Sequence, residues 1–112
     1  MRIITAIIRP DKLDDVIRAV SGIGAGGLTV TEARGFGRQF GCLGAAEPGA
    51  SKALVLPKLR IDVLVHDESS EFVTDAIAKS VGTGSIGDGK IWVCPVDSAL
   101  RIRTGERDEA AV

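Results

Sequence analysis

The chain has 112 residues, 45% hydrophobic and 26% charged, with 14 basic against 15 acidic side chains. That is the size of a single domain with a real core, and the near-neutral charge lacks the basic excess that nucleic acid demands. Two cysteines and one histidine are too few for a disulfide framework or a structural zinc set. The apolar run at the N-terminus is only about six residues long, short for a signal segment or a membrane span. The expectation is a cytoplasmic protein with free thiols.

Arg2 to Arg9 is rich in isoleucine and reads as a buried strand. Pro10 and Asp11 then signal a helix start. Leu13, Val16, Ile17 and Val20 follow at i, i+3, i+4, i+7 and give that helix an inward face. Gly22, Gly24, Gly26 and Gly27 end it, and a second strand is expected from Leu28 to about Arg34. From Gly35 to Leu56 no period holds. A loop of about 20 residues in a small domain usually marks a functional or mobile element. Leu59 to Val65 reads as a third strand. Ser69 or Ser70 caps a second helix whose buried side is Phe72, Val73, Ala76, Ile77 and Val81. A glycine-rich turn from Gly82 to Gly89 leads to a fourth strand, Ile91 to Cys94.

The order β-α-β-loop-β-α-β predicts an α+β fold, the ferredoxin-like double split βαβ arrangement. Helices on one sheet face leave an apolar second face that self-association would cover.

Three segments have the residue types that meet phosphate. In Thr83-Gly-Ser-Ile-Gly-Asp-Gly-Lys90, glycines let backbone N–H groups approach an anion and Lys90 adds a point charge. The segment lacks Walker A spacing, and a plain helix-to-strand turn is the alternative. Arg101 and Arg103, two apart on a segment taken as extended, place two guanidinium groups on one side; a solvated basic edge is the alternative. Gly35-Phe-Gly-Arg-Gln-Phe-Gly41 stands at one root of the long loop and Lys58 at the other, so Arg38 and Lys58 bring two cations to one neighbourhood. No catalytic constellation emerges. His66 suits a cap or turn, Cys94 reads as inert core, and Cys42 lies in the loop without a clear activating neighbour.

Together these segments resemble the PII signal-transduction family over essentially the whole chain. The resemblance is carried by Ile4-Thr-Ala-Ile-Ile-Arg-Pro-Asp-Lys-Leu-Asp14, Gly27-Leu-Thr-Val-Thr-Glu32, Gly35-Phe-Gly-Arg-Gln39, Leu56-Pro-Lys58, Thr83 to Val93 and Arg101-Ile-Arg-Thr-Gly-Glu106. It implies one domain over 1–112, with a long mobile loop at about 36–55 and a phosphate-contacting segment at about 96–106. It also implies a homotrimer in which ATP and ADP compete for clefts between subunits. Gly37, Arg38, Gly87, Asp88, Gly89, Lys90, Arg101 and Arg103 would meet phosphates, and Ile7, Thr29, Asp62 and Leu64 would surround adenine and ribose. By the same resemblance 2-oxoglutarate would bind beside magnesium held by the ATP phosphates and Gln39, with Lys58, Gly41 and Ile86 completing the effector site.

The loop departs from the family pattern. The chain contains no tyrosine, so a tyrosine-linked nucleotidyl switch is excluded, and Gly49 stands where some relatives carry a phosphorylated serine. Ser51 is left as a modifiable but unremarkable loop residue. Glu47 replaces an arginine that enters ammonium-transporter pores in related proteins, which reverses the charge at the loop tip. The expected protein is a non-enzymatic sensor that addresses an unidentified target, a membrane transporter or a metabolic enzyme, through its loop. The alternative is a carbon-side sensor coupling ADP or AMP to bicarbonate. A slow nucleotide hydrolase is less favoured, because only Asp88 stands near the cations and phosphoryl transfer needs positioning as well as charge.

Overall fold

The computed structural model describes residues 1–37 and 55–112. Strand β1 (Arg2–Ile8) leads through a short 3₁₀ turn (Pro10–Lys12) into helix α1 (Leu13–Gly22). Strand β2 (Thr29–Gly35) and strand β3 (Leu56–Val65) flank residues 38–54, and helix α2 (Ser70–Val81) and strand β4 (Lys90–Pro95) follow. All strand pairs are antiparallel and the sheet order is β2-β3-β1-β4. That order, with both crossovers made by helices, is the ferredoxin-like double βαβ arrangement.

Strand alternation divides the sheet into two unlike faces. Ile4, Ala6, Ile8, Ile61, Val63 and Val65 pack under Val16 and Val20 of α1 and Val73, Ile77 and Val81 of α2. The in-register neighbours on the other face include Ile3, Thr5 and Ile7 of β1, Asp62 and Leu64 of β3, and Trp92 and Cys94 of β4. No helix of the described residues is long and apolar enough to cross a membrane.

Several local expectations need correction. Phe72 is 63% exposed and Ile17 39%, because each lies at the edge of its helix's apolar stripe rather than at its centre. The α2 start carries no side-chain cap from Ser69; the Ser70 hydroxyl donates to the Asp67 carbonyl in the 3₁₀ turn before it. Cys94 is exposed, not core, since it pairs with Ile3 and so shares the face turned away from the helices. Strand β3 begins three residues earlier than the pattern indicated. Pro57 pairs with Arg34 of β2, beyond the last β1 partner at Leu59. Its missing N–H therefore interrupts no ladder with β1, and the β2–β3 pair runs on as a two-stranded extension.

Candidate functional site

The segment between α2 and β4 is shaped by backbone constraints that only glycine meets. Gly84, Gly87 and Gly89 have φ of 78°, 105° and 101°, in the region that favours glycine. Gly89 is the most restricted. A Cβ there would lie 1.7 Å from the Ile7 carbonyl oxygen, so the loop presses directly against the end of β1.

Asp88 is the internal tie of this loop. Its carboxylate accepts the Thr83 N–H at 2.7 Å, the Gly84 N–H at 2.9 Å and the Thr83 hydroxyl at 2.5 Å. Arg9 adds an ion pair at 3.1 Å. Hydrogen bonds from the Thr83 side chain and backbone, with further help from Gly84 and the Arg9 charge, hold the Asp88 carboxyl below its ordinary range. The carboxylate is thus committed to holding the loop together.

Between this loop and the ends of β1, β2 and β3 lies an open cleft of about 710 Å³. Its walls include Ile7, Gly37, Lys58, Ile86, Gly87, Asp88, Gly89 and Lys90, all named from the sequence. Gly35, Phe36 and Ser85, which belong to the candidate segments but were given no individual role, complete it together with Trp92. Trp92 was legible only through register, because it stands two residues after Lys90 on one face of β4. Lys58 is buried, 8% exposed, and its Nζ donates to the Gly87 carbonyl at 2.7 Å. The root of the long segment is thereby joined to the glycine loop. Two lysines, glycine-exposed backbone and an apolar flank of Ile7, Ile86 and Trp92 suit an anion attached to a flat apolar group.

The remaining expected residues stand elsewhere. Thr29 and Asp62 face each other across β2 and β3, outside the cleft walls. Burial pushes the Asp62 carboxyl upward, but hydrogen bonds from Arg60 and Thr5 and the Arg60 charge outweigh it and leave it low. Leu64 lines a separate pocket with Ile23, His66 and Phe72. Arg101 and Arg103 are not on an extended segment, contrary to the reading of their spacing. A turn closes there, with the Gly105 N–H donating to the Arg101 carbonyl at 2.8 Å and Gly105 at φ 74°. Arg101 Nη1 is paired with Glu106 at 2.5 Å. Arg38, Gln39, Gly41, Cys42, Glu47 and Ser51 lie outside the described residues. Met1 and the Glu109 segment were missed altogether, although His66 takes the turn role expected of it: its carbonyl accepts from Ser69 and its Nδ1 meets Glu109.

The chain is thus a small ferredoxin-like domain with a glycine-lined, lysine-bearing cleft at one end of its sheet. The family model described as nitrogen regulatory protein P-II matches residues 1–106. The chain is 48% identical over 112 residues to nitrogen regulatory protein GlnK of Escherichia coli K12, covering all of both chains. It is 46% identical to nitrogen regulatory protein P-II 2 of Methanothermobacter thermautotrophicus, over all of this chain and 97% of that one. Against nitrogen regulatory protein P-II of Rhizobium etli the identity is 48%, with both chains fully covered. The chain belongs to the PII family of nitrogen regulatory proteins. These relatives are named as regulatory proteins, not enzymes, and their names do not favour the carbon-side reading. Trimeric assembly is typical of the family.

Proposed function

We propose that this PII regulatory protein is a cytoplasmic homotrimer that binds ATP and ADP in clefts between subunits and signals through its long loop at about 36–55. The observation that carries the reading is the split of the expected site. Ile7, Lys58 and the glycine loop through Lys90 line one cleft, whereas Thr29, Asp62, Leu64, Arg101 and Arg103 of the same chain lie away from it. A neighbouring subunit would bring the second set to the first. The described half fits a polyphosphate, because Gly89 has no room for a side chain against Ile7 and Lys90 stands beside it. A bound nucleotide would supply the phosphates; the protein supplies cations and N–H donors.

Among the described residues no cluster of three or more His, Cys, Asp or Glu is placed to hold a metal. Magnesium would thus depend on the nucleotide phosphates and Gln39, as the resemblance implies. The 2-oxoglutarate reading rests on Lys58, whose ammonium stands at the cleft wall and would exchange the Gly87 carbonyl for a carboxylate. Ligand binding would then act on both the glycine loop and the root of the long segment, biasing which target-binding conformation is populated.

The test is calorimetric titration of ATP, ADP and AMP, each repeated with magnesium plus 2-oxoglutarate and with bicarbonate. ATP binding tightened by 2-oxoglutarate, and no longer tightened in Lys58→Met, is the expected result. Sharpening of ADP or AMP binding by bicarbonate instead would move the protein to the carbon branch. No nucleotide binding at all would sink the reading.

A further inference from the structure

The glycine loop is fastened to the rest of the molecule at two points beyond its own hydrogen bonds. One is the contact of Gly89 with the Ile7 carbonyl, fixed by the absence of a side chain. The other is Arg9, one residue past the end of β1 and immediately before Pro10. Its Nη2 donates to the Thr83 hydroxyl at 3.0 Å and lies 3.1 Å from Asp88 Oδ1. Its Nε is buried without a hydrogen bond among the described residues, 4.0 Å from Asp11. Arg9 does not line the cleft. Both side chains it reaches belong to the clasp that holds the Thr83 and Gly84 amides.

We propose that Arg9 is a positioning residue of the anion loop, acting through Asp88 and Thr83 and not by touching the ligand. The pair is half-buried, with Arg9 29% and Asp88 24% exposed, so its attraction is less screened than a surface pair's. A guanidinium suits the task, because its planar fork spans a hydroxyl and a carboxylate at once. Pro10 locks φ just after Arg9 and limits how the cation swings away from the loop. The loop's N–H donors would then be preorganised before any nucleotide arrives, which lowers the ordering cost of binding. This rests on the nucleotide reading for its consequence, though not for its geometry.

The experiment compares wild type, Arg9→Ala, Arg9→Lys, Asp88→Asn and the Arg9→Ala/Asp88→Asn double variant. Amide hydrogen exchange of the unliganded proteins comes first, then ADP titration without magnesium. In Arg9→Ala the Thr83 and Gly84 amides should exchange about tenfold faster, the scale of one charge-assisted hydrogen bond, while core amides of β1 and β3 keep their rates. Arg9→Lys should recover part of that protection. ADP affinity should fall by a similar factor, and the double variant should bind no more weakly than Asp88→Asn alone. Unchanged exchange at Thr83 and Gly84 would overturn the proposal. So would an affinity loss that adds in full to that of Asp88→Asn, since Arg9 would then meet the ligand directly. If Arg9→Ala lowers protection throughout the core, Arg9→Gln takes its place under the same criteria. A wild type that binds no ADP defeats the nucleotide reading, and the exchange comparison still decides the role of Arg9.

Discussion

Gly89 carries the most severe single-residue constraint in the site. Alanine there needs both a left-handed backbone and room that the Ile7 carbonyl already fills at 1.7 Å. The loop would have to leave β1, and Gly89→Ala should cost about 1–3 kcal/mol along with most nucleotide affinity, read by denaturant unfolding and calorimetry. Retained affinity would mean that the loop's seat on β1 is irrelevant to binding. Asp88 gives a pH signature at the same scale. Its folded carboxyl lies below the ordinary aspartate value of about 3.9, chiefly through the Thr83 hydrogen bonds. Its contribution is therefore present in full above that value and lost as pH falls through the depressed one. The Thr83 and Gly84 amide resonances should hold steady through neutral pH and shift only in that acid window. A shift near pH 6 would contradict the clasp.

At the scale of elements, β1 is the member on which the fold depends, being paired on both sides and covered by both helices. Ile4, Ala6 and Ile8 are fully buried, and the same strand's other face reaches the cleft through Ile7. Ile4→Ala should cost about 2–5 kcal/mol, the range for deleting a large core side chain, measured as a drop in denaturant midpoint. Val30→Ala on β2 should cost under about 1 kcal/mol, since that edge residue is 39% exposed. Equal losses at the two positions would mean that β2 is covered in solution far more than the single chain indicates.

For the whole molecule, the helix-free face is the feature a lone chain leaves unresolved. Ile3, Leu64, Trp92 and Cys94 lie on it, with Trp92 40% exposed, and a sheet face of that character is ordinarily covered. The trimer proposed above would cover it and complete the nucleotide site in one step. Cys94→Glu places a charge on that face without touching the helix-side core. It should convert a trimer into monomers in sedimentation velocity at micromolar concentration and weaken ADP binding in parallel. A wild type that sediments as a monomer would end the inter-subunit reading.

Helical spacing and strand runs were enough to place six elements in the right order, because Val16, Val20, Val73, Ile77 and Val81 repeat at the helical period and Ile61, Val63 and Val65 alternate. The glycine-rich turn from Gly82 to Gly89 was legible as the connection between α2 and β4, because clustered glycines mark such a turn; its use for an anion belongs to the proposal above. Register escaped the sequence, since Pro57 looks like a strand breaker until its pairing is seen to be with β2 alone, the β1 ladder reaching only Leu59. Cys94 sits in an apolar strand, yet which face it takes depends on its partner Ile3. The clasp of Arg9, Thr83 and Asp88 joins residues 74 and 79 positions apart, and no local pattern encodes such a meeting. Periodicity reports which side chains avoid water, whereas only the packed sheet decides which distant charges share a loop.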